Sequence, residues 1–120
     1  MDASEAKHEQ HPRPTATVVS TGRTADAFTI TVSGDIDLAT VDQLAAAAGE
    51  ALADAAGAGP IELDLRGCEF IDSTGLGAVL ALNRKAGEAG RSLRIRQGGR
   101  SVRRSFEISR LTGELPFVED

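Results

Sequence analysis

The spacing of apolar residues along this chain switches from two to nearly four and back, more than once, and few architectures accept that order. "FTITVSG" (28–34) sets Phe28, Ile30 and Val32 against Thr29, Thr31 and Ser33, the pattern of a half-buried strand. "LATVDQLAAAAGEALADAAGAG" (38–59) then carries Val41, Leu44, Ala48, Ala51, Leu52 and Ala55 along one helical stripe. Thr40 and Gln43 read as a T-x-x-Q capping box at its start. Gly57 and Gly59 stop it, and Pro60 prevents its restarting. "IELDL" (61–65) returns to alternation.

The same alternation continues downstream. A second helix is expected from Ser73 to Glu88, with Leu76, Val79, Leu80 and Asn83 inward and Gly87 and Gly90 at its end. "SLRIR" (92–96) is another strand, and "SVRRSFEIS" (101–109) a third helix burying Val102 and Phe106. "LPFVE" (115–119) is either a last short strand or an extended tail. Upstream, "TATVVS" (15–20) is a strand and "TGRTAD" (21–26) a turn, so the first two strands form a hairpin. Residues 1–14, polar and holding Pro12 and Pro14, are expected to be a disordered tail. Strands separated by helices require crossovers, hence a partly parallel sheet. The expected fold is a single α/β domain over residues 15–120. Its mixed sheet has four to five strands with helices packed against it, in the order β-β-α-β-α-β-α(-β).

Composition narrows the function. One cysteine, Cys68, excludes an internal disulfide framework, and no apolar run is long enough to span a bilayer. With no signal-like segment at the N-terminus either, the expected setting is the cytoplasm. Four Phe with no Trp or Tyr is a poor complement for stacking on bases. Charge is uneven: nine of the 13 basic residues lie between Arg84 and Arg110, while 13 of the 18 acids occur by Asp72. An acidic end and a basic end matter for docking more than for folding. The basic stretch is either a solvated surface, with Arg94 and Arg96 guarding an edge strand, or a site for an anionic ligand or nucleic acid.

The most informative string is "FIDSTGLGAVL" (70–80), in which Asp72, Ser73, Thr74 and Gly75 separate two apolar runs. Asp72 or Ser73 suits a helix N-cap, and a cap alone explains the local pattern. The same geometry offers two hydroxyls at a helix start, where free amides and the helix dipole stabilise added negative charge. Nucleophilic catalysis is disfavoured: the only histidines, His8 and His11, fall in the polar tail, and "STGLG" is not G-x-S-x-G. No phosphate-loop motif is present. "SGDIDLAT" (33–40) ends a strand with Asp35 and Asp37, either a turn before an acidic helix start or a pair flanking Ser73. Two carboxylates without further ligands make no metal site.

"SGDIDLAT", "FIDSTGLGAVL" and "VRRSFEISRL" in this order resemble the STAS-domain anti-sigma factor antagonists over residues 15–118. That resemblance implies a protein without catalytic activity or cofactor that exchanges partners. Unphosphorylated, it would bind an anti-sigma factor that is also a serine kinase, and so free the sigma factor. Phosphorylation of Ser73 (less readily Thr74) would release it, and a PP2C-type phosphatase would restore it. By the same resemblance the docking surface comprises Asp35, Asp37, Asp72, Ser73, Thr74, Gly75 and Leu76. No membrane and no direct nucleic-acid partner is implied. Some relatives are instead accessory modules of transport or lipid-trafficking complexes that do not switch. The sequence departs from the family where a glycine often precedes the leucine after the third helix: here stands Arg110, with Gly113 further on.

Overall fold

The computed structural model describes residues 16–54, 59–109 and 115–118. The expected tail, the stop at Gly57, the pair His8 and His11, and the Arg110 and Gly113 positions lie outside the described residues. Five strands form one sheet in the spatial order of the chain: β1 (Val18–Arg23), β2 (Phe28–Ser33), β3 (Ile61–Gly67), β4 (Leu93–Arg96) and β5 (Phe117–Val118). β1 runs antiparallel to β2, and every later neighbour is parallel. Helices α1 (Val41–Ala53), α2 (Ser73–Glu88) and α3 (Arg100–Ile108) lie in the three crossovers, from β2 to β3, β3 to β4 and β4 to β5.

Register explains why a single face is apolar. Ile30 pairs with Leu63 and Leu63 with Ile95, so three fully buried side chains stand in one row across the sheet. Burying each contributes roughly 1.5–3 kcal/mol. The helices cover this face with Leu44, Ala47 and Ala51 from α1, Leu76, Val79 and Leu82 from α2, and Val102 and Phe106 from α3. The Phe106 ring meets that of Phe117 edge-on, with centroids 5.0 Å apart. The opposite face is charged. Glu62 accepts from Arg94 at 3.2 Å and Arg96 at 2.8 Å, and Asp64 pairs with Arg66 at 2.8 Å.

Several expectations shift in detail. The first strand lies at Val18–Arg23, so the turn is confined to residues 24–27, where the Thr24 amide donates to the Ala27 carbonyl. α1 begins at Val41 instead of Leu38, and its buried line is Leu44, Ala47 and Ala51, with Ala48 and Leu52 half-buried. The capping box does not form: Thr40 makes no side-chain cap and turns toward the preceding loop. The α2 stripe runs through Gly75, Leu76, Val79, Leu82 and Ala86, leaving Leu80 and Asn83 on its flank. β4 is not an edge strand, since β5 covers its outer side, and Arg94 and Arg96 hold Glu62 instead of guarding an edge.

Among the described residues Arg91 is the buried charged side chain, and it ties the first two crossovers together. Its guanidinium donates to the Ala51 carbonyl at 2.7 Å and twice to the Gly59 carbonyl at 3.1 Å. A cation is thus set on a last-turn carbonyl of α1, where the helix dipole favours it, and on the Gly59 carbonyl beyond the helix. Gly90, at φ 73°, reverses the chain after α2; the amides of Gly90 and Arg91 close the helix end on Gly87 and Ala86. The turn that ends α2 therefore delivers the arginine that ends α1.

Candidate functional site

Two loops at the carboxyl ends of β2 and β3 lie side by side. The Gly34 amide donates to the Gly67 carbonyl, Ile36 to Phe70, and Asp72 back to Ile36, while Ile36 and Ile71 form a parallel bridge. Both isoleucines are buried, so their neighbours Asp35, Asp37, Phe70 and Asp72 surround a fixed apolar peg. Gly34 sits at φ 105°, and a Cβ there would stand 2.8 Å from the Thr17 Cα. Only glycine fits this turn.

The first loop fastens itself. The Asp37 carboxylate accepts from the amides of Ala39 (3.0 Å) and Thr40 (3.2 Å). The Thr40 hydroxyl accepts from the Asp37 amide and donates to the Asp35 carbonyl, which also accepts from Thr17 at 2.6 Å. Asp37 is therefore occupied in shaping its own turn, an Asx-turn arrangement. Thr40 was missed as a loop clamp because T-x-x-Q reads equally well as a cap.

In the second loop the Asp72 carboxylate caps α2, accepting from the Gly75 amide at 3.0 Å. Ser73 follows as the first residue of the helix and is exposed, whereas Thr74 is half-buried. Gly75 and Leu76 are buried, and a Cβ on Gly75 would lie 2.6 Å from Ile71 and 2.8 Å from Ile36. Gly75 thus lets the start of α2 press onto the isoleucine peg. Of the two hydroxyls, the one on Ser73 faces solvent at a helix N-terminus. Among the described residues no histidine stands near to act as its base, and no group of three potential ligands could hold a metal ion.

An open groove of about 310 Å³ lies against Ser73. Phe70, Ser73 and Leu76 line it on one side, and Ser105, Ile108 and Ser109 of the α3 end on the other. Phe70 is 46% exposed and Ile108 70% exposed. Leu38, on the neighbouring loop, is 77% exposed. These residues were absent from the sequence-derived set, because an apolar residue in a sequence carries no sign of being left outside. Burial pushes the Cys68 thiol up to about 11, and its Sγ donates to the Phe70 carbonyl at 3.3 Å. Protonated at neutral pH, it is a packing residue of the loop.

The basic stretch divides into separate uses. Arg91 binds carbonyls, Arg94 and Arg96 bind Glu62, and Arg84 lies 3.9 Å from Glu88. Lys85, Arg100, Arg103 and Arg104 are exposed and have no acidic partner among the described residues. Among the described residues no helix is long and apolar enough to cross a membrane.

Comparison with known proteins gives this arrangement its setting. Residues 19–119 match the family model described as Mlab, STAS domain. The fold resembles the crystal structure of an anti-sigma factor antagonist from Mycobacterium paratuberculosis, with a TM-score of 0.74, 26% identity and 85% of each chain covered. It also resembles the anti-sigma factor antagonist SpoIIAA in its unphosphorylated form, with a TM-score of 0.69, 23% identity, and 86% of this chain and 88% of that one covered. A more distant likeness, at a TM-score of 0.56 and 21% identity, is to the complex of diguanylate cyclase SiaD with its activator SiaC from Pseudomonas aeruginosa, covering 88% of this chain and 92% of that one. No curated protein matches the sequence. With the match spanning nearly all of the sheet and helices, the chain belongs to the STAS-domain family and has the fold of its anti-sigma factor antagonists.

Proposed function

We propose that the protein is an anti-sigma factor antagonist switched by phosphorylation of Ser73. In its unmodified form it binds an anti-sigma factor that is also a serine kinase, and binding releases the sigma factor. The observation that carries this reading is the exposed Ser73 hydroxyl on the first turn of α2, beside a capping Asp72 and within the D-S-T-G-L-G string. The protein acts by binding and catalyses nothing itself. A PP2C-type phosphatase reverses the modification.

Charge makes the switch. A phosphoryl group adds about −1.5 to −2 at neutral pH. Within the domain the free amides and dipole of α2 offset part of it, by roughly 0.3–1 kcal/mol. At a partner interface the same charge beside Asp72 breaks contacts and meets like charge, which costs several kcal/mol. The fold persists and the complex separates. A STAS module that docks without modification is the second reading, since the matched family model is that of the STAS domain and names no modified residue. Incubation with ATP and each serine-kinase anti-sigma factor of the same genome, followed by mass spectrometry, distinguishes the two. The switch requires one phosphate on the peptide containing Ser73; an unmodified protein bound stably to its partner supports the second reading.

A further inference from the structure

α3 carries charge and apolar surface that the switch leaves unused. Two side chains, Val102 and Phe106, bury its inner line, and its outer surface is exposed. Arg100, Arg104 and Ile108 follow one another at four-residue spacing, so they form one row along the helix. The row ends at the groove, where Ile108 faces the side of Phe70, Ser73 and Leu76. Glu107 is the one acid on α3, and among the described residues no ion pair joins it to Arg100, Arg103 or Arg104. A basic row without an acidic partner among the described residues, leading into an exposed apolar patch, is complementary to a surface of opposite charge with an apolar anchor.

We propose that α3 is the second half of the docking surface, and that it receives an acidic segment of the anti-sigma factor whose apolar anchor seats between Phe70 and Ile108. This rests on the reading of Ser73 as the switch and assigns that switch its recognition element. Acidic side chains along the Arg100–Arg104 row place the anchor in the groove that Ser73 borders. A phosphoryl group on Ser73 then stands against the acidic segment and crowds the anchor. The arginines give attraction and orientation, and the groove makes attachment sensitive to one modified hydroxyl. Nucleic acid is a poorer match for this row: a phosphate backbone gains nothing from the apolar end at Phe70 and Ile108, and the chain as a whole carries −5.

The test measures affinity of the purified serine-kinase anti-sigma factors of the same genome for the full chain, at low and high salt. Arg100→Glu/Arg104→Glu should weaken binding about tenfold at low salt, with the loss shrinking at high salt as the charges are screened. Ile108→Ala should weaken binding without changing the salt dependence. All three side chains are exposed, so circular dichroism should be unchanged; Arg100→Gln/Arg104→Gln replaces the charge reversal if that variant unfolds. Binding as tight as the unsubstituted protein's in the arginine variants, with Ser73→Asp still weakened, overturns the α3 proposal and leaves the Ser73 switch standing. A DNA duplex shifted by the unsubstituted protein and not by the arginine variants, with kinase affinity unaltered, overturns it too. No binding by the unsubstituted chain to any of the kinases overturns both.

Discussion

Asp72 accepts from the Gly75 amide at 3.0 Å, which fixes Ser73, the first of the two residues between them, as the exposed first position of α2. One carboxylate thereby both starts a helix and presents a hydroxyl. Asp72→Ala should lower stability by about 1 kcal/mol through loss of the cap, and Asp72→Asn by much less. Urea unfolding of the variants measures both. The Ala variant should also be a slower phosphate acceptor, since its first turn frays.

Two glycines of the same helix should respond in opposite ways. A Cβ on Gly75 meets Ile71 at 2.6 Å and Ile36 at 2.8 Å, while one on Gly77 meets nothing within 4 Å. Gly75→Ala should destabilise by roughly 1–3 kcal/mol through overpacking. Gly77→Ala should stabilise by about 0.5–1 kcal/mol, as alanine is the better helix former. Thermal melts of the pair read the difference directly.

Arg91 should matter more than any other arginine in the basic stretch. Removing its guanidinium strips the Gly59 carbonyl of two donors and leaves the Ala51 carbonyl with the longer bond from the Asp54 amide at 3.3 Å, at a cost of about 1–3 kcal/mol. Arg91→Ala should lose stability on that scale, and Arg91→Lys should recover only part, having no planar fork for both carbonyls. Arg84→Ala, with its exposed 3.9 Å pair, should be near neutral.

The open face of the sheet should make stability depend on pH in acid. The Arg66 side-chain hydrogen bond, aided by its charge and by Arg96, holds the Asp64 carboxyl below the usual carboxylate range against the opposing effect of burial. The folded state therefore binds fewer protons than the unfolded chain near pH 4, and this stabilisation is present above the unfolded value of about 3.9 and lost as pH falls through the lower folded value. Arg66→Ala should flatten the fall in stability as pH drops below the unfolded value. Denaturant titrations across that range test the slope.

Alternation and helical periodicity made the order of elements legible, because strands β2, β3 and β4 each put apolar residues on one face only. The sequence also pointed to the meeting of the 35–37 and 72–76 loops, which the Ile36–Ile71 bridge brings about. What it hid depends on three-dimensional neighbours. Thr40 satisfies a cap motif locally, yet its hydroxyl is claimed by Asp35 and Asp37. Arg94 and Arg96 read as edge guards until β5 closes over β4 and leaves Glu62 as their partner. Nothing in the sequence marks Phe70 or Ile108 as exposed, and only the packed structure places them outside, on the walls of the groove beside Ser73.

The central claim concerns one phosphate and one complex. The most direct measurement is the affinity of the cognate serine-kinase anti-sigma factor for this protein before and after stoichiometric modification at Ser73. The account predicts a loss of about a hundredfold or more, roughly 2.8 kcal/mol, with the circular dichroism of the domain unchanged. Equal affinity of the two forms would contradict it.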